Sequence, residues 1–416
     1  MTKSSLKMRL KQLLVGCLVF VIANQIEASG IRLRGSIGLR SYGYQDVAEE
    51  NHLWLFQTTR FSAYQRGGPI SFHFSGGYRG DNADDFSHSG RARLLKGYLQ
   101  LDDPRSKTTA RLGRFFLYRG VAVGVIDGLE LSRQLHPGVN LTAFAGMMGP
   151  LSRKFEISDP NQDASFGGEI RFKVPVPYTD SNNLAVSYTN QIRDEKEIRQ
   201  RLGIANYSRM GSHIRWLNLV HLRLQGSPFS RFISRIRYND QVWNTHFEYA
   251  FRSVDISDYS WFSEFGHLTS SRIRLGVNRY LLENKWGAGI EGALLLKSDF
   301  GGRLGPVIIT PYGQAGYRIS MGDQSSSQGP WASLRLKPHR DIELNVTGAM
   351  VNYEWDAIEI ENDELVMLNA GVRYMPRAYD RVTISAEYQV YQTPQLSQDR
   401  RAMGGILWRF DTGGKR

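Results

Sequence analysis

Hydrophobic and polar side chains alternate at every second position along most of the chain after residue 30. A period of two places successive side chains on opposite faces of a β-strand, whereas the helical period of 3.6 is nearly absent. The pattern therefore predicts an all-β protein whose strands have one apolar face and one polar face. The clearest alternating segments are 31–40, 70–79, 166–174, 243–252, 285–297, 341–350, 368–374, 381–392 and 402–410.

The length of these segments separates two classes of β-protein. They run for about 9 to 14 residues, and a tilted strand needs about 9 to 11 to cross a bilayer, whereas strands of soluble sheets average about 5 to 6. In a soluble sandwich or propeller the apolar faces would instead meet a protein core. In lipid every backbone amide must be paired within the sheet, so a spanning sheet has to close on itself. No apolar run after about residue 24 has the ~18 residues of a spanning helix.

Residues 31–410 as a whole resemble the β-barrels of Gram-negative outer membranes, porin-like barrels in particular. The final strand ends with Trp408 and Phe410, which resemble the terminal aromatic signal that barrel-assembly machinery reads, although six residues follow. The resemblance implies a single-chain antiparallel transmembrane β-barrel in the outer membrane. It also implies two partners, which are outer-membrane lipid and the assembly machinery.

The segments predict about 20 strands, within a range of 18 to 22, because single-chain bacterial barrels have even numbers. A direct parse gives about 21, and the alternation of short periplasmic turns with long external loops fails only between Ser298 and Gly329. If part of 307–319 is loop, the count is about 20. If that stretch conceals a second crossing, the count is about 22.

The N-terminal residues predict export. Four basic residues precede the apolar run 13–23, and small residues follow it, which is typical of a cleavable secretory signal over residues 1–29. The barrel is predicted over 30–410 and a short periplasmic tail over 411–416. The only cysteine, Cys17, lies in the signal segment, so the exported chain would contain neither disulfides nor thiolate metal sites.

The basic residues lie mostly on the polar faces of the predicted strands. The chain carries a formal charge of +12, and residues 1–29 hold four bases and one acid, so the exported part carries +9. If the apolar faces meet lipid, bases outnumber acids about threefold on the lumen side, and such a lumen favours anions. A cross-strand network that rigidifies the wall is the alternative role for any one of them. The candidate lumen-lining bases are Arg32, Arg34, Arg171, Lys173, Arg215, Arg235, Arg237, Arg272, Arg274, Arg373, Arg381 and Arg401.

The stretch 111–131 resembles the strand and loop that fold inward and narrow the channel in many porins. An ordinary hairpin with a loop at the rim is the alternative. The candidate constriction residues are Arg111, Arg114, Arg119, Asp127 and Glu130.

Two functions fit these predictions. The first is a passive diffusion channel for small hydrophilic, preferentially anionic solutes. The second is a structural sleeve in a multi-component outer-membrane complex, such as a secretion, motility or porin-cytochrome conduit, with a periplasmic or lipoprotein partner; a homo-oligomer is also open. No catalytic, metal-ligating or cofactor-binding spacing stands out, so we predict no enzyme, no metal, no cofactor and no nucleic-acid partner.

Overall fold

A computed structural model describes residues 30–45, 50–81, 91–150, 163–193, 197–225, 229–253, 269–281, 285–297, 300–323, 325–355, 364–392 and 399–413. The predicted signal segment and most of the predicted external loops lie outside these ranges. The strands are β1 Ile31–Gln45, β2 Asn51–Gln65, β3 Ile70–Asp81, β4 Arg91–Asp103, β5 Thr108–Arg119, β6 Ala122–His136, β7 Val139–Met148, β8 Asp163–Lys173, β9 Ser181–Arg193, β10 Glu197–Met210, β11 Ile214–Arg223, β12 Phe229–Asn239, β13 Trp243–Ser253, β14 Thr269–Leu281, β15 Trp286–Leu296, β16 Phe300–Thr310, β17 Gly313–Gly322, β18 Ser325–His339, β19 Ile342–Trp355, β20 Glu364–Tyr374, β21 Val382–Gln392 and β22 Asp399–Asp411. A short 3-10 helix, Arg377–Tyr379, precedes β21.

The strands form one closed antiparallel sheet of 22 strands in which each strand pairs with its neighbours in sequence. The predicted barrel is confirmed, and its count lies at the upper end of the predicted range. The ambiguous stretch holds two crossings, because the turn at Pro311 and Tyr312 separates β16 from β17. A strand spacing of about 4.8 Å and a tilt of about 40° give a backbone diameter of roughly 40 Å.

The first and last strands close the barrel. β1 and β22 pair antiparallel from Arg34 opposite Asp411 to Tyr44 opposite Arg401. Near the start of β1, the Arg32 guanidinium donates two hydrogen bonds to Asp411, at 2.9 and 2.7 Å. The backbone amide of Leu33 also donates to the Thr412 hydroxyl. Paired amides and this bidentate ion pair therefore seal the closing edge.

The two faces of the sheet differ as the alternation predicts. One face exposes large apolar side chains, for example Ile290 at 46%, Leu368 at 49% and Ile406 at 51%. The other face carries buried acids such as Glu248 and Glu343, and each of these is ion-paired to arginines. Because lipid accepts apolar surface and excludes charge, we assign the apolar face to the outside and the charged face to the lumen.

The connections at the two ends of the barrel differ in length. At the end that carries both termini the connections are short, as at Gly211–His213, Asp240–Val242 and Pro311–Tyr312. At the opposite end the strands are joined by the longer segments, including 82–90, 149–162 and 254–268. No helix in the described part of the chain is long and apolar enough to span a membrane.

Candidate functional site

The distal half of the β5–β6 hairpin leaves the barrel wall and curls into the lumen. Arg111 and Arg119 lie eight residues apart on β5, so a straight strand would separate their Cα atoms by about 26 Å. Both nevertheless bind Glu130, with Nη1 of Arg111 at 3.2 Å and Nη2 of Arg119 at 3.1 Å from Oε1. We call the part of the hairpin beyond the bend, residues 114–127, the curled hairpin.

Glycines mark the line where the hairpin bends. Gly113 on β5 lies opposite Gly128 on β6, and Gly128 lies opposite Gly146 on β7. Gly113 has a φ of +124°, and a Cβ at Gly128 would lie 2.2 Å from the Ala145 carbonyl oxygen. Only glycine allows this conformation and this close approach. Pairing with β4 ends at Arg114, so the curled hairpin is free of that neighbour.

Apolar packing fixes the curled hairpin against the inside of the wall. Phe115, Leu117, Ala122 and Ile126 are at most 4% exposed and pack with Phe144 of β7. Burial of each large apolar side chain contributes about 1.5–3 kcal/mol. At the tip, the backbone amide of Val121 donates to the Ser187 hydroxyl of β9 at 3.2 Å. The curled hairpin therefore reaches across β7 and β8.

Ion pairs reinforce this arrangement at two levels. Glu130, 2% exposed, lies between Arg111 and Arg119 and so ties the base of the hairpin to its tip. At the bend, Arg114 and Asp127 form a bidentate pair with both N–O distances at 2.6 Å. These two share a strand parity with the outward Leu112 and Leu129, yet they are buried, because their strands turn away from lipid at this point.

The side of the curled hairpin that faces away from the wall is aromatic and open. Phe116, Tyr118 and Val123 are 56%, 72% and 48% exposed. The opposite side of the curled hairpin, with Phe115 and Leu117, packs against Phe144 on the inner face of β7. The exposed side therefore faces the lumen rather than lipid.

A strongly basic wall lies beside the curled hairpin. Strands β11 to β14 contain nine arginines and one acidic residue, Glu248. The register puts eight of the arginines on the inner face and leaves Arg279 outside, over the Trp243 ring. We call the inner eight the arginine wall; they are Arg215, Arg223, Arg231, Arg235, Arg237, Arg252, Arg272 and Arg274.

Glu248 neutralises only part of this wall. It accepts hydrogen bonds from Arg235 at 2.6 Å and Arg272 at 3.1 Å, with Arg274 at 4.0 Å. Arg231 and Arg252 lie opposite each other on β12 and β13, with no ion pair to a described carboxylate. The Nε atoms of Arg231, Arg272 and Arg274 are buried without a hydrogen-bond partner in the described protein. The wall therefore presents a net positive surface to the lumen.

The twelve candidate lumen-lining bases fall into two groups. Seven pair with carboxylates, as expected of a cross-strand network: Arg32, Arg171, Arg235, Arg272, Arg274, Arg373 and Arg401. For Arg34, Lys173, Arg215, Arg237 and Arg381 the described residues give no such ion pair. Arg381 lies in the turn just before β21, and the other eleven lie on inner-face positions of their strands.

Three members of the arginine wall are not among the twelve predicted lumen-lining bases: Arg223, Arg231 and Arg252. Their parity was a usable signal, because Arg231 matches Arg235 and Arg252 matches Glu248 within their strands. The sequence prediction also omitted Tyr118, whose alternation with Phe116 is typical of a lipid-facing position.

The candidate assembly residues lie on the outer face of β22. The rings of Trp408 and Phe410 are 5.2 Å apart. Phe410 is 6% exposed and covers Gly35 of β1, where a Cβ would lie 2.6 Å from the Phe410 ring. Their role in assembly stays a prediction. In the part of the chain that the structure describes, no group of three or more His, Cys, Asp or Glu residues is arranged to hold a metal ion.

The sequence matches no protein-family model and no curated protein. The fold is similar to solved outer-membrane barrels. The translocation pore of the P pilus usher PapC is 9% identical and superposes with a TM-score of 0.55, covering 91% of this chain and 99% of that one. The siderophore receptor PirA from Pseudomonas aeruginosa is 9% identical with a TM-score of 0.59, covering 91% of this chain and 80% of that one. OprD from Pseudomonas aeruginosa, 9% identical over 92% of this chain and 96% of that one, superposes at 0.45.

The likenesses to PapC and PirA support the fold of Gram-negative outer-membrane β-barrels. They do not decide between activities, because a protein-translocation pore and a siderophore receptor share the architecture equally well. The residues that line the lumen are therefore the basis for a functional proposal.

Proposed function

We propose that the protein is a passive outer-membrane channel for small hydrophilic solutes and that it prefers anions. The observation that supports the proposal is the position of the curled hairpin beside the arginine wall. In this proposal the hairpin narrows the passage and the wall gives it a positive charge. A lumen without such a hairpin would be wide and weakly selective, because a barrel of 16 to 18 strands already leaves an aqueous channel.

The hairpin supports a fixed constriction. Its tip is tied to the wall by Glu130 and Ser187, and its core is as buried as that of a soluble domain. A segment packed in this way holds one position in the lumen, so it sets the width of the passage. Arg111, Arg114, Arg119, Asp127 and Glu130 act in this proposal by holding the hairpin, and its aromatic side borders the passage.

The arginine wall supports the charge preference. Eight bases against one acid give a positive potential over four adjacent strands. In a passage with low-dielectric walls such a potential raises the local concentration of anions and lowers that of cations.

Reversal potentials in a planar bilayer test the proposal. In a gradient of potassium chloride, the purified protein should conduct and favour chloride over potassium. The double variant Arg231→Glu, Arg252→Glu should reduce or invert this preference. The matched control is Arg279→Gln, because Arg279 lies on β14 but on the outer face. Cation preference in the unaltered protein, or equal effects of the variants and the control, would contradict the charge assignment.

A structural sleeve would give a different result. The barrel alone would show no conductance, and a stoichiometric periplasmic protein or lipoprotein would co-purify with it. In that case the curled hairpin would act as a docking surface for the partner.

A further inference from the structure

A row of neutral polar side chains crosses the outer face of the barrel at mid-height. Asn206 on β10 lies opposite Asn218 on β11, which lies opposite Ser234 on β12. Asn218 is the fifth of the ten residues of β11, and Ser234 is the sixth of the eleven of β12. We call these three residues the polar stripe.

The parity of neighbouring residues establishes that the stripe faces outward. Ile204 and Ile236, two positions from Asn206 and Ser234, belong to the exposed apolar surface. Gly203, one position from Ile204, faces inward, because a Cβ there would lie 2.6 Å from Val121 of the curled hairpin. The stripe therefore lies on the face that we assign to lipid, near the centre of the bilayer.

Three other strands carry apolar side chains on the outer face at a similar height. Ile290, Leu304 and Leu368 each occupy the fifth position of an eleven-residue strand, and they are 46%, 49% and 49% exposed. On β2, Gln57 and Thr59 also occupy outer-face positions near mid-strand. The polar stripe differs from that pair in joining three adjacent strands in one row. Hydrocarbon supplies no hydrogen-bond partner to an amide, so a polar group left facing it is unfavourable.

Only some of the hydrogen-bonding groups of the polar stripe have a partner within the chain. The Trp216 indole donates to the Ser234 hydroxyl at 3.2 Å, and the Ser208 hydroxyl donates to Asn182 at 2.8 Å and weakly to Asn206 at 3.5 Å. The Asn218 side-chain amide has no hydrogen bond to any described residue, and it is not enclosed by the chain. Its donor and acceptor are both open to a neighbour in the membrane.

We propose that the polar stripe is an interface between two copies of this chain in the outer membrane. A carboxamide both donates and accepts hydrogen bonds, so a stripe of amides and a hydroxyl is complementary to itself across a twofold axis. The outer-face positions of β9 to β12 carry no charged residue in the described ranges, so two such surfaces do not repel each other. Interhelical amides stabilise association in membranes by the same physics.

Cross-linking from the water-exposed turn below the stripe tests the proposal. In a Cys17→Ser background, Ser212→Cys introduces one thiol in the turn between β10 and β11. The control is Arg66→Cys, an exposed position in the turn between β2 and β3, on the far side of the barrel. Treating outer membranes with a short bismaleimide should link the first variant to twice the chain mass and leave the control as a single chain.

A second variant tests whether Asn218 itself stabilises the dimer. Asn218→Leu removes the unpaired amide and fills the position with an apolar group that lipid accepts. Native mass spectrometry of protein extracted in mild detergent should show dimers for the unaltered chain and at least a tenfold smaller dimer fraction for Asn218→Leu. Leu368→Ala should leave the fraction unchanged.

Three outcomes would overturn the proposal: equal cross-linking at both turns, a monomer in the unaltered protein, or a product joined to a different protein. The heat-dependent gel mobility of the closed barrel verifies that each variant is folded. The measurements do not involve conductance, so they test the dimer interface independently of the proposed channel activity.

Discussion

The curled hairpin and the arginine wall use the same residue types in opposite ways. In the hairpin, Arg111 and Arg119 share Glu130, and Arg114 pairs with Asp127, so each of these charges has a partner. In the wall, Glu248 is the one acidic residue of β11–β14, and it pairs with three of the eight inner-face arginines. Paired charges hold a segment in place, whereas unpaired excess charge acts on whatever passes through the lumen.

The largest expected effect comes from removing the apolar core of the hairpin. Phe115→Ala should cost about 3–5 kcal/mol of local packing and let the hairpin leave the wall. Single-channel conductance should then change and become noisier, while the closed barrel persists. Leu112→Ala is the matched control, because Leu112 lies on the outer face of the same strand and is 59% exposed, against 1% for Phe115. Identical behaviour of the two variants would show that the hairpin does not set the width of the passage.

The same substitution at Glu130 and at Glu248 should have different effects, because Glu130 belongs to the hairpin network and Glu248 to the arginine wall. Glu130→Gln should lower the free energy of unfolding by about 2–3 kcal/mol, because it removes the negative charge shared by Arg111 and Arg119 and replaces one of the two acceptor oxygens with a donor. Urea unfolding in lipid vesicles measures the loss. Gating noise should rise in the same variant.

Glu248→Gln should leave the hairpin in place and alter selectivity. One charge removed at about 10 Å from the passage corresponds to about 0.4 kcal/mol in water, or roughly a twofold gain in anion preference. Reversal potentials measure it. A larger change in conductance noise than in selectivity would contradict the assigned division of roles.

A change in salt concentration should affect the arginine wall and the curled hairpin differently, without any mutation. The screening length falls from about 10 Å at 0.1 M to about 3 Å at 1 M. The preference for chloride should therefore weaken across this range, because the arginine wall acts through water. The buried pairs of the hairpin are shielded from solvent, so gating noise should stay constant.

The smallest effect concerns the turn beneath the arginine wall. At Asp240, a hydrogen bond from the Tyr238 hydroxyl and others from the backbone amides of Trp243 and Val242 hold the pKa below its ordinary value. The folded state therefore gains stability above the pKa of the unfolded chain and loses it as the pH falls through the folded value. Asp240→Asn should flatten the dependence of unfolding on pH in this acidic range. An unchanged profile would contradict this role.

Much of the architecture was predictable from short-range pattern. The segment 285–297 was predicted from alternation alone, and it contains β15, Trp286–Leu296, with the apolar parity exposed. The strand count was harder to predict, because the turn at Pro311 and Tyr312 between β16 and β17 has only two residues. A two-residue turn leaves little mark on a periodic pattern, whereas a long polar loop interrupts it.

The lumen was predictable only in part. Alternation identified Arg235, Arg272 and Arg274 as inward, but it could not reveal that they share one glutamate. Partners on different strands depend on register, which the sequence of one strand does not contain. Arg114 and Asp127 carried a usable signal, since charges at lipid-facing parity indicate that a strand leaves the bilayer.

The amino-acid order by itself determined that this is a barrel with an apolar exterior, because the two-residue period assigns each side chain to one side of a sheet. Only the tertiary structure decided where the sheet departs from its cylinder. Because the β5–β6 hairpin curls inward, the side that would face the lumen packs against the wall, and the side that would face lipid faces the lumen. Phe115 is therefore buried, and Tyr118 borders the passage. This arrangement depends on packing against Phe144 of β7 and on the contact between Val121 and Ser187 of β9, which are 66 residues apart in the chain.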